Sequence, residues 1–551
     1  MAKTSNETPI ASARPAHISG SACFALTALA MAFTGFSVCA VGKTAVATSA
    51  QPILPQVSGP IPVTAQSRPF LGAQAAMDAV GYVEEEYFLS GEASTYDWTG
   101  SGRRVRVIAG PGRYVTRILV MRPRDPAKFG GNVEVTVLNA SLNLDFGGPT
   151  DFPRMVKQGD VWIGITTKAV TANALKKFDP VRYAPLDWSN PAAPERRCDH
   201  PTMIPTYMAG GKDVLEAMAK AGVKSSWPEY EDGLVWDMLG QLGLLLKGDQ
   251  RNIILPGFSK PFVFMTGVSQ SAIYIRTWLA GFHDRYRTVD GKPVYDGYLG
   301  IVGPSMIRIN QCADDVPLED PSQKLATPDV PFISISSEGE MWQARYTQQP
   351  DAFSRRGGIV SYEVTGASHR AGDVPGLAPD RISFAPIPDM IKAGMQMPSA
   401  AGLSAPIPTG AAPNDFIWQP LVRGAFQNLQ AWVRNGTRPP QAPGIALDAK
   451  LEIRRDRYGN AIGGLRMPFI EAPIAAHTGY LTPGGMGGVM GIKKPFPAET
   501  LKALYPTRSA YVAKFTEATN RLLKGRWISE EDAAAMKMAV NSAAPSTTDK
   551  R

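Results

Sequence analysis

Short apolar runs closed off by turn residues recur along this chain: Val105–Ile108, Tyr114–Met121, Val133–Leu138, Val161–Ile165, Pro261–Met265, Tyr298–Val302, Val330–Ile335 and Gly357–Val364. Such runs, bounded by Gly, Pro, Asn and Asp, predict strands. Between them the hydrophobic period changes. Val235, Met238, Leu239, Leu242, Leu245 and Leu246 recur at i, i+3, i+4 spacing, which predicts an amphipathic helix over Gly233–Lys247. A second helix, Leu421–Arg434, carries Val422, Phe426, Leu429 and Val433 on one face and stops at Asn435-Gly436. Gly110-Pro111-Gly112 predicts a hairpin turn joining the first two strands. Two further helices are predicted near the C-terminus, the last opened by Ser529 and Asp532 as a variant capping box. Strands separated by helical stretches predict the α/β class, with a mainly parallel central sheet flanked by helices on both faces.

Composition adds a large core and little else. The chain has 551 residues, 44% of them hydrophobic and 19% charged, as in ordinary globular enzymes. Its net charge of +8 is modest for this length, and no Lys/Arg run is interleaved with aromatics. Nucleic acid is therefore not an expected partner. The 47 prolines and 53 glycines are spread along the chain and indicate many loops. One loop-rich insertion, residues 176–227, precedes the central helix and reads either as a cap over a site or as plain surface packing. A C-terminal extension begins near residue 440, and the main domain is placed at 71–545.

The N-terminus reads as a targeting segment. No charge occurs between Arg14 and Lys43, and Ala22–Ala40 is apolar and rich in small residues. Val38-Cys39-Ala40 and Thr48-Ser49-Ala50 offer cleavage sites, so residues 1–40 are read as a signal peptide rather than a membrane anchor. A flexible lead follows over 41–70, and the mature protein is expected in the periplasm or outside the cell, with no stable membrane insertion. Export leaves Cys198 and Cys312 as one cysteine pair in a compartment that permits disulfides. No metal-ligand spacing occurs, and the glycines at 484–488 lack the leading strand and following Lys-Ser/Thr of a phosphate cradle. No metal or cofactor is expected.

The candidate chemistry lies at Gly267-Val268-Ser269-Gln270-Ser271, between the apolar run Pro261–Met265 and the start of a helix at Ala272. Strand, tight turn with Ser among small residues, then helix is the context of a nucleophile elbow, although Ser271 stands where a second Gly is usual. A Ser hydroxyl needs a positioned base. The chain holds five histidines: His17, His200, His283, His369 and His477. His369 comes after the Ser, on the loop leaving Gly357–Val364, and is the favoured base; His477 is the runner-up. His283 suits a capping or packing role near the end of the elbow helix. The acid is expected after Val330–Ile335, where Glu338 and Glu340 both qualify because one residue of slip exchanges their directions.

These landmarks resemble a family of secreted bacterial α/β-hydrolase domains with a G-E-S-Q-S-A elbow, an acid loop like Q-T-E-x-D and a G-x-x-H loop. The matching stretches here are Gly267–Ala272, Ser336–Glu340 and Gly366–His369. Further matches are Arg122-Pro123 with Asp125-Pro126-Ala127, Leu138-Asn139 with Ser141, and Trp432–Gly436. Val268 replaces the family's Glu, and Glu340 stands where Asp is usual, which makes Glu338 the first choice of acid. The resemblance implies an α/β-hydrolase fold with an oxyanion hole formed by the backbone N–H groups of Gln270 and Ala140. It implies a serine hydrolase that cleaves a small carboxylic ester through Ser269, His369 and Glu338 or Glu340. The alternatives are an inactive binding protein on the same fold, or a lyase or acyltransferase using the same Ser and His.

Overall fold

The chain divides into two units, Met1–Gln51 and Pro52–Arg551. A computed structural model describes residues 54–100, 104–140, 143–199, 205–209, 211–220, 226–369, 387–394, 407–484 and 488–543, all in the second unit. The signal-peptide reading of residues 1–40 lies outside the described residues.

Ten strands form one sheet: β1 (Gln56–Ser58), β2 (Tyr82–Thr99), β3 (Arg104–Pro123), β4 (Asn132–Val137), β5 (Val161–Ile165), β6 (Phe262–Val268), β7 (Gly297–Ile301), β8 (Pro331–Ser337), β9 (Ala352–Phe353) and β10 (Gly358–Val364). They pair in the order β1-β2-β3-β5-β4-β6-β7-β8-β10-β9. From β5 through β10 the neighbours in that order run parallel, while β1, β2, β3 and β9 add antiparallel edges. The six helices that matter here are α1 (Ala169–Phe178), α2 (Val235–Lys247), α3 (Gln270–Gly281), α4 (Gln419–Asn435), α5 (Arg508–Lys524) and α6 (Glu530–Ala543).

Each face of the sheet has its own core, as the period of two in a strand requires. On β6, Val263 and Met265 join Leu239, Leu242 and Leu245 of α2, while Phe264 between them joins Phe426 and Leu429 of α4 on the other side. All six apolar positions of the periodic stretch in α2 are fully buried. The second core is completed by Phe515 of α5 and Val540 of α6, so the C-terminal residues supply one wall of the domain. Ser529 opens α6 by accepting from the Asp532 N–H at 3.0 Å.

Three expectations are corrected. Arg104–Pro123 is one continuous strand, paired along its length with Tyr82–Thr99, so Gly110-Pro111-Gly112 is not a hairpin turn. A register shift opposite, between Ala93 and Thr95, absorbs the irregularity. Strand β2 was hidden from the hydrophobic pattern because its buried side carries charge: Glu86 is fully buried and paired with Arg117 and Arg182, each at 2.5 Å. The lead is not flexible throughout, since Gln56–Ser58 pairs with Phe88–Ser90 and Phe70 is buried. Near the C-terminus there are three helices, Ala498–Leu504 preceding α5 and α6.

Cys198 and Cys312 form a disulfide with Cα atoms 5.1 Å apart, tying the loop-rich insertion to the segment that follows β7. The bridge closes a sequence separation of 114 residues. Replacing both cysteines by Ser is expected to lower stability by about 2–5 kcal/mol. Urea denaturation of the two forms would read this directly, and an unchanged midpoint would contradict it.

Candidate active site

Parallel pairing puts the C-terminal ends of β6, β8 and β10 along one edge of the sheet. That edge is where open α/β sheets bind ligands. It also brings residues 269, 340 and 369 within reach of one another.

The elbow is built on β6, which is buried and paired on both sides. The chain turns at Ser269, which adopts φ 59°, ψ −123°. This left-handed backbone is costly for a residue with a side chain and persists only where surroundings hold it. The hold comes from the Ser269 N–H, which donates to Ile301 O at 2.8 Å. Small residues are required around it: a Cβ on Gly267 would lie 2.6 Å from Ser271 O, and one on Gly303 would lie 2.6 Å from Ser269 O. Ser271, in place of the usual second Gly, fits with its side chain fully buried.

His369 Nε2 meets Ser269 Oγ at 2.9 Å, and His369 Nδ1 meets Glu340 Oε1 at 2.6 Å. The carboxylate fixes the proton on Nδ1 and leaves Nε2 free to accept from the Ser hydroxyl. Glu340 is itself immobilised. Its Oε2 accepts from the Ser337 N–H at 2.7 Å, one half of a capping box at the end of β8.

The preference for Glu338 over Glu340 is corrected by this geometry. Glu338 points the other way and accepts from the Gly366 N–H at 2.8 Å, the Gly479 N–H at 3.2 Å and Arg455 Nη2 at 2.7 Å. The tight turn begun by Ser337 sends the two carboxylates, two residues apart in the chain, in different directions, which spacing could not resolve. Glu338 thereby clamps the histidine loop to the C-terminal region. We expect Glu338→Ala to cost about 3 kcal/mol, chiefly from two buried N–H groups left unpaired. A thermal melt that matched the wild type would refute that.

Among the described residues, the other histidines, His283 and His477, bond to groups other than Ser269. His283 bonds Tyr298 and Asp329 at 2.9 and 2.7 Å behind the elbow helix. His477 is buried against Asn414 and Phe416, and burial pushes its pKa down to about 4. His200 lies outside the described residues.

Gln270 is the first residue of α3, so its N–H has no acceptor within the helix. Ala140 is buried in the loop after β4. That loop is held against the elbow by Asn139 Nδ2, which donates to Val268 O at 2.8 Å. Neither Asn139 nor Arg455 carried a signal in the sequence as an elbow or loop clamp, because both act across long chain separations. Tyr207 of the insertion packs edge-on against Trp342, two residues past Glu340, with ring centroids 6.4 Å apart. The insertion therefore touches the acid loop. Among the described residues, no group of three His, Cys, Asp or Glu side chains could hold a metal ion, and no helix is long and apolar enough to cross a membrane.

No curated protein matches the chain. Solved structures that match include the siderophore hydrolase EstA from Aspergillus nidulans, at 12% identity over 49% of this chain and 73% of that one, with a TM-score of 0.21. A CE15 glucuronoyl esterase from Teredinibacter turnerae matches at 7% identity over 57% of this chain and 74% of that one, with a TM-score of 0.24. A glucuronoyl esterase from Solibacter usitatus matches at 9% identity over 51% of this chain and 77% of that one, with a TM-score of 0.22. At such low TM-scores these likenesses carry no argument about chemistry. The sequence model of one family matches residues 57–538, nearly the whole of the described unit, and the chain accordingly belongs to the alpha/beta hydrolase domain family.

Proposed function

We propose that this protein is an exported serine hydrolase that cleaves a carboxylic ester. The observation that carries the reading is the relay Ser269 Oγ, His369 Nε2, His369 Nδ1, Glu340 Oε1, with links of 2.9 and 2.6 Å. In this reading Ser269 Oγ attacks the acyl carbon while His369 Nε2 takes its proton. The imidazolium so formed is stabilised by Glu340. Negative charge develops on the carbonyl oxygen, where the Gln270 and Ala140 N–H groups donate to it. Collapse of the intermediate breaks the C–O bond to the alcohol, which leaves with the proton from His369. Water, activated by the same base, then clears the acyl-enzyme. Export is supported by the uncharged apolar stretch Ala22–Ala40 and by the Cys198–Cys312 bridge, which suits an oxidising compartment.

The test is fluorophosphonate labelling of the mature protein together with hydrolysis of short p-nitrophenyl esters. Fast labelling with turnover is the expected result. A folded protein inert to both would leave the fold as a binding scaffold, and labelling with transfer to an added alcohol in preference to water would make it an acyltransferase.

A further inference from the structure

Behind the oxyanion loop lies a charged group that the reaction scheme above leaves unused. Lys168 lies three residues past the end of β5, is 1% exposed, and its Nζ has no hydrogen-bond partner among the described residues. The ammonium sits 4.4 Å from the centre of the Tyr274 ring. Tyr274 is four residues past Gln270, about one turn along the elbow helix. Two carboxylates act on Lys168 electrostatically, Asp145 and Asp232. Both are buried, and each has one oxygen, Asp145 Oδ1 and Asp232 Oδ2, without a hydrogen-bond partner.

The surroundings tie this cluster to the site. Asp145 belongs to the loop after β4 that contains Ala140, where Asn139 and Phe146 exchange backbone hydrogen bonds. The ends of β4 and β5 are joined by Leu138 N–H to Ile165 O at 3.1 Å and by Thr167 Oγ1 to Leu138 O at 3.3 Å. Asp232 holds the start of α1 by accepting from the Ala169 N–H at 2.7 Å. Asp145 already has Arg117 at 3.2 Å, whereas among the described residues Asp232 has no ion-pair partner within 4.0 Å.

We propose that Lys168 is a positioning residue for the reaction, a counter-charge that neutralises Asp232 behind the elbow helix and the oxyanion loop. This rests on the ester-hydrolysis reading. As negative charge grows on the acyl oxygen, an uncompensated Asp232, which acts on Tyr274 of the elbow helix, would oppose it. Asp232, Lys168 and Tyr274 are all buried, so the repulsion is weakly screened. Replacing Lys168 and Asp232 together by neutral side chains would cost the fold little, whereas removing the ammonium alone leaves a buried carboxylate uncompensated. The rate, its pH dependence and its recovery in the double variant are therefore the readouts that a merely structural role would not move together.

The groups that act on Lys168 are Asp232, on the turn before α2, and Asp145 with its partner Arg117; Tyr274 on α3 lies against it, with Arg308 and Glu231 acting on that ring from further out. Burial pushes Lys168 down to about 8 and Glu231 up to about 7. The wild type should then lose kcat as pH rises through about 8, where Lys168 gives up its proton.

The experiment compares wild type, Lys168→Met, Lys168→Arg and Lys168→Met/Asp232→Asn, measuring kcat, KM, pH profile, melting temperature and fluorophosphonate labelling. Unit charges on the order of 10 Å apart in a protein interior correspond to roughly tenfold in rate. Lys168→Met is expected to lower kcat about tenfold with KM nearly unchanged, and to lower the melting temperature because Asp232 is left uncompensated. Adding Asp232→Asn should recover most of the loss. Lys168→Arg should keep activity through the alkaline range, because guanidinium does not deprotonate there. Lys168→Met with wild-type kcat and the same alkaline decline would overturn the proposal while labelling left the hydrolase reading intact. A wild-type protein inert to the fluorophosphonate would overturn both.

Discussion

Ser269→Ala is expected to lower kcat by about 10⁴-fold or more and to abolish fluorophosphonate labelling, with the melting temperature close to that of the wild type. The size of the effect follows from the arrangement: Ser269 Oγ sits 2.9 Å from the only ring nitrogen of His369 not engaged by Glu340. Removing the hydroxyl removes the attacking atom. Residual turnover would come from N–H groups that polarise the carbonyl and from a water taking the place of the hydroxyl, which is why the loss is finite. The fold should tolerate the change because the strained backbone at 269 is held by its N–H bond to Ile301, which Ala retains. His369→Ala should match it in kcat, since groups acting as one unit do not contribute additively. Full activity in either variant would remove the relay from the mechanism.

Glu340→Gln is the second large effect, and the neighbouring Glu338 supplies its control. An amide at 340 no longer fixes the Nδ1 proton or stabilises the imidazolium, so kcat should fall by about 10³–10⁴-fold while the loop stays folded. Glu338→Gln should do the reverse, lowering the melting temperature through its contacts with Gly366, Gly479 and Arg455 and leaving kcat of the folded protein within a few-fold. Kinetics and melts on the two variants separate the roles. If the losses in kcat appeared in Glu338→Gln and not in Glu340→Gln, the assignment of the acid would be reversed.

The elements legible in the sequence were those whose signal is local. The strands at Val133–Leu138 and Val161–Ile165, and those ending at Val302, Ile335 and Val364, are rich in apolar residues because the sheet is covered on both faces, and the helix over Gly233–Lys247 shows its period plainly. Strand β2 was not legible because Glu84 and Glu86 are buried along it, and a buried charge looks like an exposed one until its partner is known. Arg117 and Arg182, the partners of Glu86, lie 31 and 96 residues away in the chain. Likewise nothing near Lys168 in sequence announces Asp145 or Asp232.

By itself the sequence determined the fold class and the order of the candidates Ser269, Glu338 or Glu340, and His369, because hydrophobic period and the steric demands of the elbow turn are properties of neighbouring residues. It limited the carboxylate that could meet His369 to two residues. Only the tertiary structure distinguished them, because the direction of a side chain at the end of a strand depends on where pairing stops and which donors wait there. Ser337 and His369 were waiting for Glu340; Gly366, Gly479 and Arg455 were waiting for Glu338.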